Sequence, residues 1–145
     1  MSNINWWRVV SGGVFATAVM SIIWLPVLLA FRQDYAHMAA SLGLVIRPTL
    51  RMLIYGIVAM PTAGILAVWL YAAIRPRYGA GPRTAAIAGA AIWLATLIVD
   101  GAWASFGVMP LPLFAITKST DLVAIVVGTI AGAWVYKEPA LAVAA

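Results

Sequence analysis

Cysteine is absent from this chain of 145 residues, which removes disulfides, thiolate nucleophiles, iron–sulfur clusters and cysteine-bound zinc from consideration. Acidic residues are nearly as scarce, with four Asp and Glu against nine Lys and Arg. The one histidine, His37, cannot give a haem two axial ligands from one chain and reads as a solvated ring. No His-Glu-x-x-His, Gly-x-Ser-x-Gly or P-loop pattern occurs. The expectation is a protein without metal, cofactor or catalytic residues.

Apolar residues fill the space that charge leaves. Hydrophobic residues make up 65% and charged residues 9% of the chain, at a mean hydropathy of +1.02, whereas soluble domains carry about 25% charged residues. This composition specifies an integral membrane protein. Four runs are long enough to cross a bilayer, at about 6–31, 50–74, 84–108 and 121–136. Their unbroken apolarity fits helices and excludes barrel strands, which alternate apolar and polar positions over about ten residues. The first run exceeds the apolar core of a cleavable signal and is expected to remain as a span. The fold class is therefore all-α: a polytopic membrane protein with four transmembrane helices in one bundle, forming a single domain over 1–145. The net charge of +5 lies at span ends, where anionic lipid is the natural partner and nucleic acid is not.

Positive charge sets the orientation. Arg8, Arg75, Arg77, Arg83 and Lys137 fall on one side, and Arg32, Arg47, Arg51 and Lys118 on the other. The loop 75–83 concentrates three arginines without an acid, so both termini are placed in the cytoplasm and Arg75, Arg77 and Arg83 against lipid head groups. Trp6, Trp7, Trp69, Tyr71, Trp134 and Tyr136 then share one interface as an aromatic belt. Arg8 and Arg83 open odd-numbered spans, and Trp69-x-Tyr71 and Trp134-x-Tyr136 close even-numbered ones. That echo fits either two tandem hairpins or common interface chemistry.

Small residues mark the faces on which helices can approach, because lipid removes the hydrophobic drive for helix association. Gly128-x-x-x-Gly132 in the fourth span, Gly13, Thr17 and Ser21 in the first, and Ala59, Ala63 and Ala67 in the second form such stripes. Pro26 and Pro61 lie within spans. Between the first two spans, Tyr35, Met38, Leu42 and Val45 recur at helical spacing opposite Gln33, Asp34, His37 and Ser41, predicting a short interfacial helix ended near Gly43 or before Pro48. The connection Met109–Phe114 is apolar and proline-broken, and Asp121 reads as the start of the fourth span.

Asp100 is the acid set deep in a span. At 1.5 Å per residue it lies roughly 25 Å from Arg83, in the outer half of a hydrocarbon layer about 30 Å thick. A carboxylate there must face other helices, be paired or be protonated. Gly89, Trp93, Thr96, Asp100, Trp103 and Gly107 share its helix face. Asp100, Thr96, Trp93 and Trp103 are therefore a candidate ion or ligand site, the indoles being available for cation–π contact. Arg51 and Lys118 are the candidate ion-pair partners.

The run Trp69–Thr84, after an Asn-Trp-x-Arg-Val-Val-x-Gly-Gly start at Asn5–Gly13, resembles a group of small bacterial four-span membrane proteins without an established activity. The resemblance implies one four-helix unit in a bacterial inner membrane and brings no catalytic residues. Members of the group carry Asn and Glu in the first span, where this chain has Met20, Ser21 and Ile22. Two functions remain: a non-catalytic scaffold or accessory subunit that assembles with other membrane subunits or with itself, and a small transporter or proton/cation-conducting protein that uses Asp100.

Overall fold

The computed structural model describes residues 4–45 and 47–136, all of whose regular structure is helical: α1 (Trp6–Ala30), α2 (Arg32–Ser41), α3 (Leu50–Tyr78), α4 (Pro82–Ser105) and α5 (Leu111–Val135). Lys137, which entered the charge comparison, lies outside the described residues. α1, α3, α4 and α5 are each long and apolar enough to cross a membrane, and together they make a multi-pass membrane protein. Local chemistry sets their ends. The Asn5 side chain accepts from the Arg8 N–H at 3.2 Å and Thr49 Oγ1 from the Met52 N–H at 3.2 Å, capping α1 and α3. Gly79 closes α3 at φ +83. Pro82 begins α4, a position where its missing N–H costs nothing.

The fourth long helix differs from the sequence expectation. It begins at Leu111, not at Asp121, because Pro112 stands in the first turn, where proline is tolerated, and Pro110 supplies an extended cap residue. The expected connection over Met109–Phe114 thus shrinks, and Lys118 and Asp121 fall inside the helix. α3 also runs further than expected, to Tyr78, carrying Pro61 and Pro76 within it. α2 follows α1 after Phe31, ends before Gly43 at φ +70, and reaches α5 through a hydrogen bond of 2.7 Å between Tyr35 Oη and Thr117 Oγ1.

α1 packs against α5 and α3, and α4 against α5 and α3. The tight contacts gather at one end, where α1 and α4 begin and α3 and α5 finish. Val9, Ala16, Val68, Ala72, Ala85, Ala88 and Ala133 are buried there in one cluster with Tyr71 and Tyr136. Those two tyrosines, expected in an interfacial belt, are 4% and 3% exposed. Their rings meet edge to face at 6.1 Å, filling space that the surrounding alanines leave open. Trp6, Trp7, Trp69 and Trp134 do stand exposed.

Glycines set the helix separation. A Cβ on Gly132 would lie 2.6 Å from the Gly12 carbonyl oxygen, and one on Gly128 2.9 Å from that of Ala16, so the Gly128-x-x-x-Gly132 face is spent on α1 within the chain. Gly13 meets the backbone of Ile65 on α3, and Gly64 meets Gly13 and Thr17. Thr17 Oγ1 donates to Gly13 O at 2.9 Å and lies 3.1 Å from Met60 O on α3. Ser21 is exposed and bonds back to Thr17 O within its own helix. On α3 the contact stripe runs through Gly64, Ala67, Val68, Tyr71 and Ala72, while Ala63 is exposed.

The opposite half is looser. Ile22, Leu25, Leu28 and Leu29 of α1, Leu50 to Tyr55 of α3, Ile98, Val99 and Trp103 of α4, and Phe106 just after it are exposed. This open half contains Asp100, Lys118 and Asp121.

Candidate functional site

Measured from the tightly packed end at 1.5 Å per residue, Trp24 lies about 27 Å along α1, Asp100 about 27 Å along α4, and Lys118 about 26 Å back along α5. Asp121 is one turn away from Lys118, at about 21 Å. Four side chains from three helices therefore reach one level, and they meet. Lys118 Nζ donates to Asp100 Oδ2 at 2.5 Å and also pairs with Asp121 Oδ2. Trp24 Nε1 donates to the other oxygen of Asp121, Oδ1, at 2.7 Å. Trp93 Nε1 donates to the backbone carbonyl of Lys118 at 2.8 Å, fixing the α5 turn that carries the ammonium.

Burial grades across the cluster. The side chains of Lys118, Asp121 and Asp100 are 6%, 15% and 42% exposed. Lys118 is thus a buried cation held between two carboxylates on different helices. Both oxygens of Asp121 are engaged. Asp100 uses one oxygen, and its Oδ1 has no hydrogen-bond partner among the described residues. Two carboxylates and one ammonium leave a formal charge of −1. Desolvation of an ion at this depth is offset when all partners are present and becomes costly when one is removed.

Of the two expected partners for Asp100, the structure selects Lys118. Arg51 lies about 21 Å along α3 from Ile65, where Gly13 of α1 meets it, close to the level of Lys118, and has no ion-pair partner among the described residues. The expected polar face of α4 divides as well. Gly89 and Trp93 turn toward α5, Thr96 Oγ1 bonds to Trp93 O within its helix at 2.8 Å, and Trp103 is exposed. Neither indole faces a cation among the described residues; Arg75 lies over the Tyr136 ring and Arg77 over that of Tyr78, each at 5.9 Å. Arg77 and Arg83 are exposed, as head-group contacts would be, and Arg75 is half-buried.

Sequence reasoning missed Asp121 and Trp24. The Lys118–Asp121 spacing of i, i+3 is a helical-pair signal, masked by taking Lys-Ser-Thr-Asp as a helix start. Trp24 carries no local signal, because its partner is distant in sequence. No family model, curated protein or solved structure matches the chain, so its chemistry is read from its own residues.

Proposed function

We propose that this protein is a non-catalytic membrane subunit, a four-helix transmembrane bundle that scaffolds a larger membrane complex or assembles with itself. The observation that carries this reading is the closure of the charge cluster. Lys118 occupies the space between Asp100 and Asp121, and the hydrogen bonds from Trp24 and Trp93 complete a set that ties α1, α4 and α5 in the half where apolar packing is loose. Charge used this way holds helices in register. The exposed apolar flanks of α3 and α4 are then surfaces for neighbouring subunits.

We place α2 in the interface and the bundle in a bacterial inner membrane with both termini in the cytoplasm. Burial of Lys118 inside α5 supports that orientation, because it removes one cation from the opposite side and leaves Arg75, Arg77 and Arg83, at the facing ends of α3 and α4, against a smaller positive count. The test is purification in mild detergent followed by mass analysis. An oligomer or a co-purifying membrane protein in fixed ratio is the expected result, and a lone monomer overturns the proposal.

A second reading is favoured by one feature, the exposed and unshared oxygen of Asp100 beside a net charge of −1. In that reading the cluster passes a proton or cation. It predicts a pH-dependent flux in proteoliposomes that Asp100→Asn abolishes without loss of fold. Absence of flux in the parent protein excludes it.

A further inference from the structure

The charge cluster is not neutral. Lys118 balances one of its two acids, and the excess falls on Asp100, whose side chain is 42% exposed and whose Oδ1 has no hydrogen-bond partner among the described residues. A carboxylate open to its surroundings at this depth calls for a cation. Arg51 is the other cation that the long helices place in this half. It lies about 21 Å along α3 from the Gly13–Ile65 contact, at the level of Lys118. It is exposed and has no ion-pair partner among the described residues. The face of α3 on which it stands is made by Ile54, Tyr55, Val58 and Ala59, and no other helix lines it. An excess anion and an excess cation therefore stand at one depth on neighbouring helices, α4 and α3, without meeting.

We infer that two copies of this chain pair in the membrane through α3 and α4, the Arg51 guanidinium of each donating to the free Asp100 oxygen of the other. Copies inserted in the same direction are related by an axis along the membrane normal, which carries every residue to its own depth in the partner. A pair between copies thus needs both members at one level, and Arg51 and Asp100 meet that condition. A twofold contact forms the pair twice. Each guanidinium neutralises the excess charge of one cluster, in the forked geometry that suits a carboxylate. Ile54, Tyr55 and Val58 beside Arg51, and Val99 and Trp103 beside Asp100, are exposed and supply apolar surface to cover the pairs. The other acids among the described residues fit less well, since both oxygens of Asp121 are engaged and Asp34 lies on α2, outside the four spans. This inference rests on the self-assembly form of the function proposed above and names its contact.

The chain has no cysteine, so introduced thiols report alone. Ile54→Cys and Val99→Cys, placed in two differently tagged copies, stand about 3 Å apart in level beside the proposed pair. In phosphatidylcholine liposomes a short bis-maleimide is expected to join them into a species carrying both tags. Energy transfer between labelled copies on lipid dilution then measures dimer affinity. Arg51→Gln and Asp100→Asn should each weaken it about thirtyfold, two half-exposed pairs being lost. Arg51→Lys should keep most of it, and the double variant should be no weaker than either single one. Circular dichroism verifies that each variant is folded. Additive losses in the double variant overturn the inference while leaving assembly through another face, whereas a lone monomer overturns both. Joining of the two thiols within one chain, with no doubly tagged species, marks a contact inside the monomer and also overturns it. So does a dimer that requires phosphatidylglycerol, which assigns Arg51 to lipid.

Discussion

Lys118→Met is expected to cost about 3 kcal/mol of folding stability, the lower end of the range for removing one partner from a buried ionic set. The cause is not chiefly the loss of attraction. The substitution leaves two carboxylates facing each other at a depth where neither is fully hydrated, with only the Trp24 indole still donating to Asp121. The lower end applies because Asp100 is 42% exposed on its side chain and retains some access to polar surroundings. The same grading orders the acids. Asp121→Asn, at 15% exposure and with two partners, should cost about 2 kcal/mol, and Asp100→Asn about 1 kcal/mol.

The decisive comparison adds the neutral triple variant Asp100→Asn, Lys118→Met, Asp121→Asn. Replacing a whole ionic set is often neutral, whereas breaking it is not, so the triple variant should recover most of what Lys118→Met loses. The amide introduced by Asp121→Asn would keep an oxygen for the Trp24 indole. Reversible unfolding in mixed micelles, followed by tryptophan fluorescence, measures the parent and all four variants on one scale. A Lys118→Met variant as stable as the parent would remove the structural role of the cluster, and with it the main support for the scaffold reading.

The spans were legible in the sequence because apolar length is a composition signal that needs no partner. The level of Asp100 was legible for the same reason: helical rise is constant, so distance along a helix follows from residue number. That arithmetic does not decide between its two named partners. Lys118 lies about 21 Å beyond the Gly12–Gly132 contact and Arg51 about 21 Å beyond the Gly13–Ile65 contact, so both reach the level of Asp100, and helix placement and rotation make the choice. Proline in Pro110-Leu111-Pro112 reads equally as a broken loop or as a helix start, and that ambiguity hid Asp121. Inter-helix facts were not legible. The direction of Trp24 toward Asp121, the inward turn of Tyr71 and Tyr136, and the use of Gly64 in place of Ala63 depend on helix rotation, which a nearly all-apolar surface does not encode by periodicity.

Glycine substitutions are expected to separate packing from helix propensity within one protein. Gly13→Ala places a Cβ 2.6 Å from the backbone nitrogen of Ile65, an atom that cannot swing aside, so α1 and α3 must part. Overpacking of this kind costs about 1–3 kcal/mol, and a backbone obstacle puts it near 3. Gly56→Ala and Gly101→Ala, where an added Cβ meets nothing within 4 Å, should instead gain up to about 1 kcal/mol from improved helix propensity. The chemical change is identical, and the sign reverses with the neighbour. Gly13 and Gly64 face the same contact, since a Cβ on Gly64 meets Gly13 O and Thr17. Their double substitution should therefore cost less than the two single losses added, because once the helices have separated the second methyl finds room. Equal stability of Gly13→Ala and Gly56→Ala in micelle unfolding would mean that α1 and α3 do not approach through glycine. In that case the closed end would owe its cohesion to the Tyr71–Tyr136 contact and the alanine cluster around it.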